Sequence, residues 1–90
     1  MVTNSVVNCH LVVRDQHGNQ VLFNACRLHQ ILGKLTNDSS VINRAGTLIL
    51  VQLKPYKLMK LYDVECVIYR TLKRLNYRRL AREYFRKKLA

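Results

Sequence analysis

The sequence predicts a small α+β domain of order ββαβα. Three observations carry that expectation. A period-two apolar run near the N-terminus ends in a Gly-Asn turn, helical apolar spacing follows Asn24, and a long helical stripe occupies the C-terminal part. The chain has 90 residues, 49% of them hydrophobic, which suits one domain spanning 1–90. Frequent aliphatic residues argue against a disordered chain. The apolar run Leu48–Val51 is far short of the ~20 residues a bilayer span needs. The N-terminus lacks the basic start and apolar run of a secretory signal.

From about Ser5 to Arg14, Val7, Cys9, Leu11 and Val13 alternate with Val6, Asn8, His10 and Val12. This is strand periodicity, with the odd positions facing the core. Asp15-Gln16-His17-Gly18-Asn19 supplies a turn, because Gly and Asn tolerate positive φ. Gln20 to Asn24 forms the returning strand, with Val21 and Phe23 on one side. Asn24 then caps a helix whose Ala25, Leu28, Ile31, Leu32 and Leu35 share one face. Gly33 lowers helix propensity within it.

Thr36–Ser40 reads as a polar loop, Val41-Ile42 as a short extended stretch and Asn43–Gly46 as a turn. Thr47–Leu53 reads as the third strand. Ile49, Val51 and Leu53 face one way, and Leu48 and Leu50 face the other with Gln52. A strand apolar on both faces calls for cover on both, from helices or from a second copy of the chain. The Lys54-Pro55 step ends it.

A helical region fills roughly Tyr56 to Leu89, starting at Pro55 or, after an extended stretch, near Tyr62 with Asp63 as cap. Leu58, Leu61, Val64, Ile68, Leu72 and Leu75 form its apolar stripe. Beyond Leu75 the pattern rotates. Arg79, Arg82 and Arg86 project where Leu61, Ile68 and Leu72 did, and Tyr77, Leu80, Ala81 and Tyr84 fall on nearly the opposite side. One straight helix cannot bury both sets against one sheet. Either the helix breaks near Asn76, or it runs past the domain and meets a dimer partner. Residues 76–90 are accordingly read as a basic helical extension.

Charge points to the function. Lys and Arg number 16 against 5 Asp and Glu, for a net charge of +11. Residues 51–90 hold 12 of the cations, and 9 lie between Arg70 and Ala90 beside a single acid, Glu83. Such a field attracts polyanions. Unpaired cations belong in solvent, since burying them is prohibitive. The expected function is therefore non-enzymatic nucleic-acid binding, with RNA preferred over DNA. Arg74, Arg78, Arg79, Arg82, Arg86 and Lys87 meet the phosphate backbone. Tyr77 and Tyr84 are stacking candidates if exposed. An arginine-rich helix also suits double-stranded RNA, which is read by shape. No Cys-His finger, RNA-recognition strand pair or helix-turn-helix signature is present.

The alternative is a small interaction adaptor or regulator. It would bind a host or regulatory protein through an apolar surface of Leu48, Leu50, Tyr84 and Phe85. Homodimerisation fits a small sheet with open edges. A membrane surface is a weaker fit, because the domain needs the Leu61–Leu75 face for its own core. An odd count of three cysteines, Cys9, Cys26 and Cys66, favours a reducing intracellular setting, cytoplasm or nucleus.

No cofactor or metal is expected. Cys26 and His29 are three apart, and Cys9, Cys66, His10 or His17 would have to complete a zinc site, but there is no second closely spaced pair. Core cysteines and surface histidines are the simpler reading. A Cys26–His29 nucleophile lacks an orienting group. The acids Asp15, Asp38, Asp63, Glu65 and Glu83 are scattered, and there is no Gly-rich phosphate loop. Glu83 is placed to pair with Arg79 or Lys87, four positions away on either side.

Overall fold

The structure, a computed structural model, describes residues 11–89, with side chains through Lys87. The expected strand positions Ser5–His10, including Cys9, lie outside the described residues. The order is β1 (Leu11–Arg14), β2 (Gln20–Phe23), α1 (Ala25–Gly33), α2 (Ser39–Leu53), β3 (Leu58–Lys60), α3 (Leu61–Arg74) and α4 (Arg78–Leu89). The fold is α+β, but the sequence ββααβαα replaces the expected ββαβα.

β1 and β2 form the predicted antiparallel hairpin, pairing Leu11 with Phe23 and Val13 with Val21. The turn is built by Asp15. One of its carboxylate oxygens accepts the backbone N–H groups of His17 at 2.8 Å and Asn19 at 2.9 Å. Gly18 supplies the positive φ of 85°. Partial desolvation opposes ionisation of Asp15, but the backbone donors of Asn19 and His17 outweigh it and hold the carboxyl below its ordinary value. Asn24 caps α1 as expected, accepting from the Arg27 N–H at 2.9 Å.

Residues 39–53 correct the sequence reading. They form one helix, not an extended stretch, a turn and a strand. Asp38 caps it, accepting from the Ser40 N–H at 3.0 Å. Ala45, Ile49 and Leu53 are buried at helical spacing, and Gly46 sits mid-helix against Leu28 and Leu32 of α1. The apparent alternation of Leu48–Leu53 covers only two turns of that helix, and a run so short cannot separate the two periods. The helix ends at Leu53, just before Pro55.

The third strand is instead Leu58–Lys60, which the apolar stripe had assigned in part to a helix. It lies parallel to β1, so the sheet order is β2-β1-β3. Helix α3 begins at once, at Leu61. Lys60 is its N-cap residue without a side-chain cap bond, and Asp63 lies in the first turn, not at the cap. There its charge still complements the helix dipole.

The inner face of the sheet contributes Leu11, Val13 and Phe23 to the core. The helices add Leu28, Leu32, Ile49, Leu53, Val64, Ile68, Leu72, Ala81 and Tyr84. Helix α3 is the hub, packing on α2, α4, β1 and β3.

The helical region breaks at Asn76, the first of the two geometries the rotated pattern allowed. Asn76 takes φ 70°, in the left-handed region. Its N–H donates to the Lys73 carbonyl at 2.9 Å, and the Tyr77 N–H donates to the Leu72 carbonyl at 2.9 Å. These two bonds form a Schellman cap, which satisfies carbonyls that a helix end leaves free. Asn tolerates this backbone better than most non-glycine residues. Asn76→Ala is therefore expected to lose about 1 kcal/mol and Asn76→Gly to lose none, by urea denaturation. Equal stability of the alanine and glycine variants would contradict this role for the cap.

Candidate nucleic-acid interface

Helix α4 is pinned to α3 on one side and charged on the other. Ala81 and Tyr84 are buried, and Tyr77 and Leu80 pack half-buried against the core. At 100° per residue the opposite face carries Arg78, Arg79, Arg82 and Arg86, all exposed. Arg86 approaches Glu83 at 3.9 Å, so this acid takes the partner at i+3 and not the expected Arg79 or Lys87. The pair is solvent-exposed and stabilises little.

Where α3 and α4 meet, Phe85 is 49% exposed. Its ring packs on Tyr69, with centroids 5.3 Å apart and planes tilted by 39°. The Lys73 Nζ stands 5.3 Å from the centre of the Tyr69 ring, within cation–π range. A groove of about 370 Å³ runs here between Tyr69, Lys73, Arg78, Ala81, Arg82 and Phe85. A second groove, of about 530 Å³, adjoins it and is lined by Gln52, Tyr69, Arg70, Thr71, Lys73 and Arg74. Its floor is fixed by the Gln52 Nε2, which donates to Thr71 Oγ1 at 2.8 Å and to the Leu48 carbonyl at 3.2 Å. A third cleft, of about 750 Å³, opens at the β3 edge. Arg14 and Lys60, paired across the sheet, line it with Tyr56, Asp63 and Arg70.

The structure thus brings Arg78 and Arg82 into one groove and places Arg74 in the next. Arg79, Arg86 and Lys87 are exposed on α4 outside both grooves. Tyr77 is half-buried in the core packing. Tyr84 is only 4% exposed, so it is a core residue and is not free to stack on a base. The apolar surface expected from Leu48, Leu50, Tyr84 and Phe85 is not one patch. Leu48 lines a shallow depression with Val51 and Leu75, Leu50 packs half-buried on the core, and Phe85 faces the α3–α4 groove.

Tyr69, Arg70 and Lys73 line these grooves and are not among the candidate residues read from the sequence. Their signal was present: Tyr69 and Lys73 are four apart on one side of α3, with Tyr69 half-buried at the border of the Val64, Ile68 and Leu72 face and Lys73 exposed beyond it.

Burial raises the Tyr84 hydroxyl well above its ordinary 10.0, helped by the Glu65 carboxylate and then by Cys66. Below 10.0 both folded and unfolded chains keep this proton, and the stabilisation is full. Above it the unfolded chain ionises first, so stability falls as pH rises. Tyr84→Phe is expected to flatten the alkaline loss of stability measured by denaturant titration between about pH 9 and about pH 11. The same loss in both proteins would count against it.

Among the described residues no group of three or more His, Cys, Asp and Glu is placed to hold a metal ion. Cys26 is exposed, and Cys66, which its place beside the helical stripe suggests is a small buried hydrophobe, is half-buried. Among the described residues no helix is long and apolar enough to cross a membrane. No protein-family model matches the chain, and a search of the curated proteins finds no relative.

Proposed function

We propose that this is a non-enzymatic nucleic-acid-binding protein that prefers RNA over DNA and grips the phosphate backbone through its C-terminal helices. One observation carries the reading. Helix α4 presents Arg78, Arg79, Arg82 and Arg86 on a single exposed face, fixed in direction by buried Ala81 and Tyr84, with Lys73 of α3 alongside. A row of guanidinium forks on one helix face suits a row of phosphates. Most of the charge has no internal counterpart, because 16 cations face 5 acids in the whole chain.

The test is fluorescence anisotropy with labelled RNA and DNA, titrated with salt. The expected result is a linear fall of log affinity with log salt, steep enough to report several phosphate contacts, with RNA bound more tightly. Absence of binding to every nucleic acid near physiological salt would overturn the reading.

A protein-partner reading has its own observation. On the outer sheet face Leu22 and Leu58 are 52% and 51% exposed and flank Val12 in register. This row suits a regulatory protein or a second copy of the chain. An apolar contact there would persist at salt concentrations that release a phosphate contact.

A further inference from the structure

We propose, resting on the nucleic-acid reading, that the ligand is a single strand lying along the outer face of α3. It would run from the Arg14–Lys60 cleft to the Tyr69–Phe85 pair. The three depressions share walls. Arg70 lines both the β3-edge cleft and the middle groove, and Tyr69 and Lys73 line both the middle groove and the α3–α4 groove. They therefore adjoin one another in series along α3.

Cations mark each stage of that path. Arg14, Lys60 and Arg70 stand at its start, Lys73 and Arg74 in its middle, and Arg78 and Arg82 at its end. Asp63 is the carboxylate on its wall, in the first cleft. Aromatic surface is open at both ends. Tyr56 is 52% exposed in the first cleft, and Phe85 stands half-exposed beside Tyr69 in the last. A charged groove that follows a backbone, with exposed aromatic faces on which bases stack, is how unpaired strands are held without sequence preference.

A duplex fits this surface poorly. Its bases are stacked on one another and offer no face to Phe85 or Tyr56. The deep major groove of duplex RNA is too narrow for side chains to read. Helix α4 is also folded back on α3 by Ala81 and Tyr84, so it does not project as a free reading helix. From Lys60 to Lys73 the helix axis advances about 20 Å, which matches about six stacked nucleotides.

The experiment uses the full chain with a fluorescein-labelled oligouridylate 12-mer, a shorter length series, and the same 12-mer paired with oligoadenylate. The unpaired strand is expected to bind more tightly than the duplex, with affinity levelling off beyond about six nucleotides. Phe85→Leu keeps apolar volume against Tyr69 and removes the ring. It should weaken single-strand binding about tenfold with the salt slope unchanged, and Phe85→Tyr should restore it. The pair Arg14→Gln and Lys60→Gln, at the far end from α4, should lower the slope by about 1.4. Circular dichroism melts confirm that each variant is folded. Duplex binding as tight as single-strand binding, with Phe85→Leu and the Arg14/Lys60 pair unaffected, would overturn the path. If alanine at Arg78, Arg79 and Arg82 still weakened binding in that case, the nucleic-acid reading would stand. Binding to neither probe would remove both.

Discussion

Leu72→Ala is expected to lower stability by about 2–5 kcal/mol, a large share of what a domain of this size has. Leu72 is completely buried on α3, the helix that touches two other helices and two strands. Removing its side chain leaves a cavity that none of these neighbours can fill without leaving the others. Its carbonyl also accepts the Tyr77 N–H that closes the helix, so the backbone is held while the side chain is lost. Relaxation is therefore limited, and the cost falls at the upper part of the range for such substitutions. Leu61→Ala provides the contrast. Leu61 belongs to the same sequence stripe but is 37% exposed, and the transfer term shrinks with exposure. The melting temperature of Leu72→Ala should fall by at least roughly 10 °C and that of Leu61→Ala by much less. Similar losses for the two would contradict the placement of the core.

The contrast between Leu61 and Leu72 shows what periodicity conveys. Spacing identified the face of α3 that looks inward, and Val64, Ile68 and Leu72 are buried there. It carried no information on where the neighbours stop, so Leu58 and Leu61 were credited with burial that they lack. The hairpin and the α1 cap were legible because their determinants are local: Asp15 with Gly18, and Asn24 with the Arg27 N–H. The rotation of the apolar face after Leu75 was legible as well. Its resolution depended on Asn76, whose left-handed backbone turns α4 back onto α3. Helix α2 was misread because its apolar run is short and carries Gly46, which acts here as a contact position against α1 and not as a turn. Strand β3 spans three residues, and its parallel pairing with β1 is non-local, so no window of sequence displays it. The candidate site divides in the same way. Arg78 and Arg82 were visible as a charge cluster. The Tyr69–Phe85 contact exists only because α3 and α4 cross, and Tyr84 is lost to the core by that same crossing.

Replacing Arg78, Arg79 and Arg82 together by alanine is expected to weaken RNA binding about 100-fold at 0.1 M salt. Each cation that neutralises a phosphate on a single strand contributes about 0.7 to the salt slope, so three lower it by about 2.1. Because that contribution scales with the logarithm of salt, one decade below molar salt it equals about two powers of ten in affinity. At 1 M salt the variant and the parent should converge. This convergence separates a phosphate contact from a folding defect, which would persist at high salt. The fold should survive, because all three side chains are exposed on α4 and alanine has the highest helix propensity. The residues that pin α4, Ala81 and Tyr84, are untouched. A parallel loss at every salt concentration would place the effect in structure. Unchanged affinity with an intact fold would remove these arginines from the interface and move the protein-partner reading of the Leu22–Val12–Leu58 face to first place.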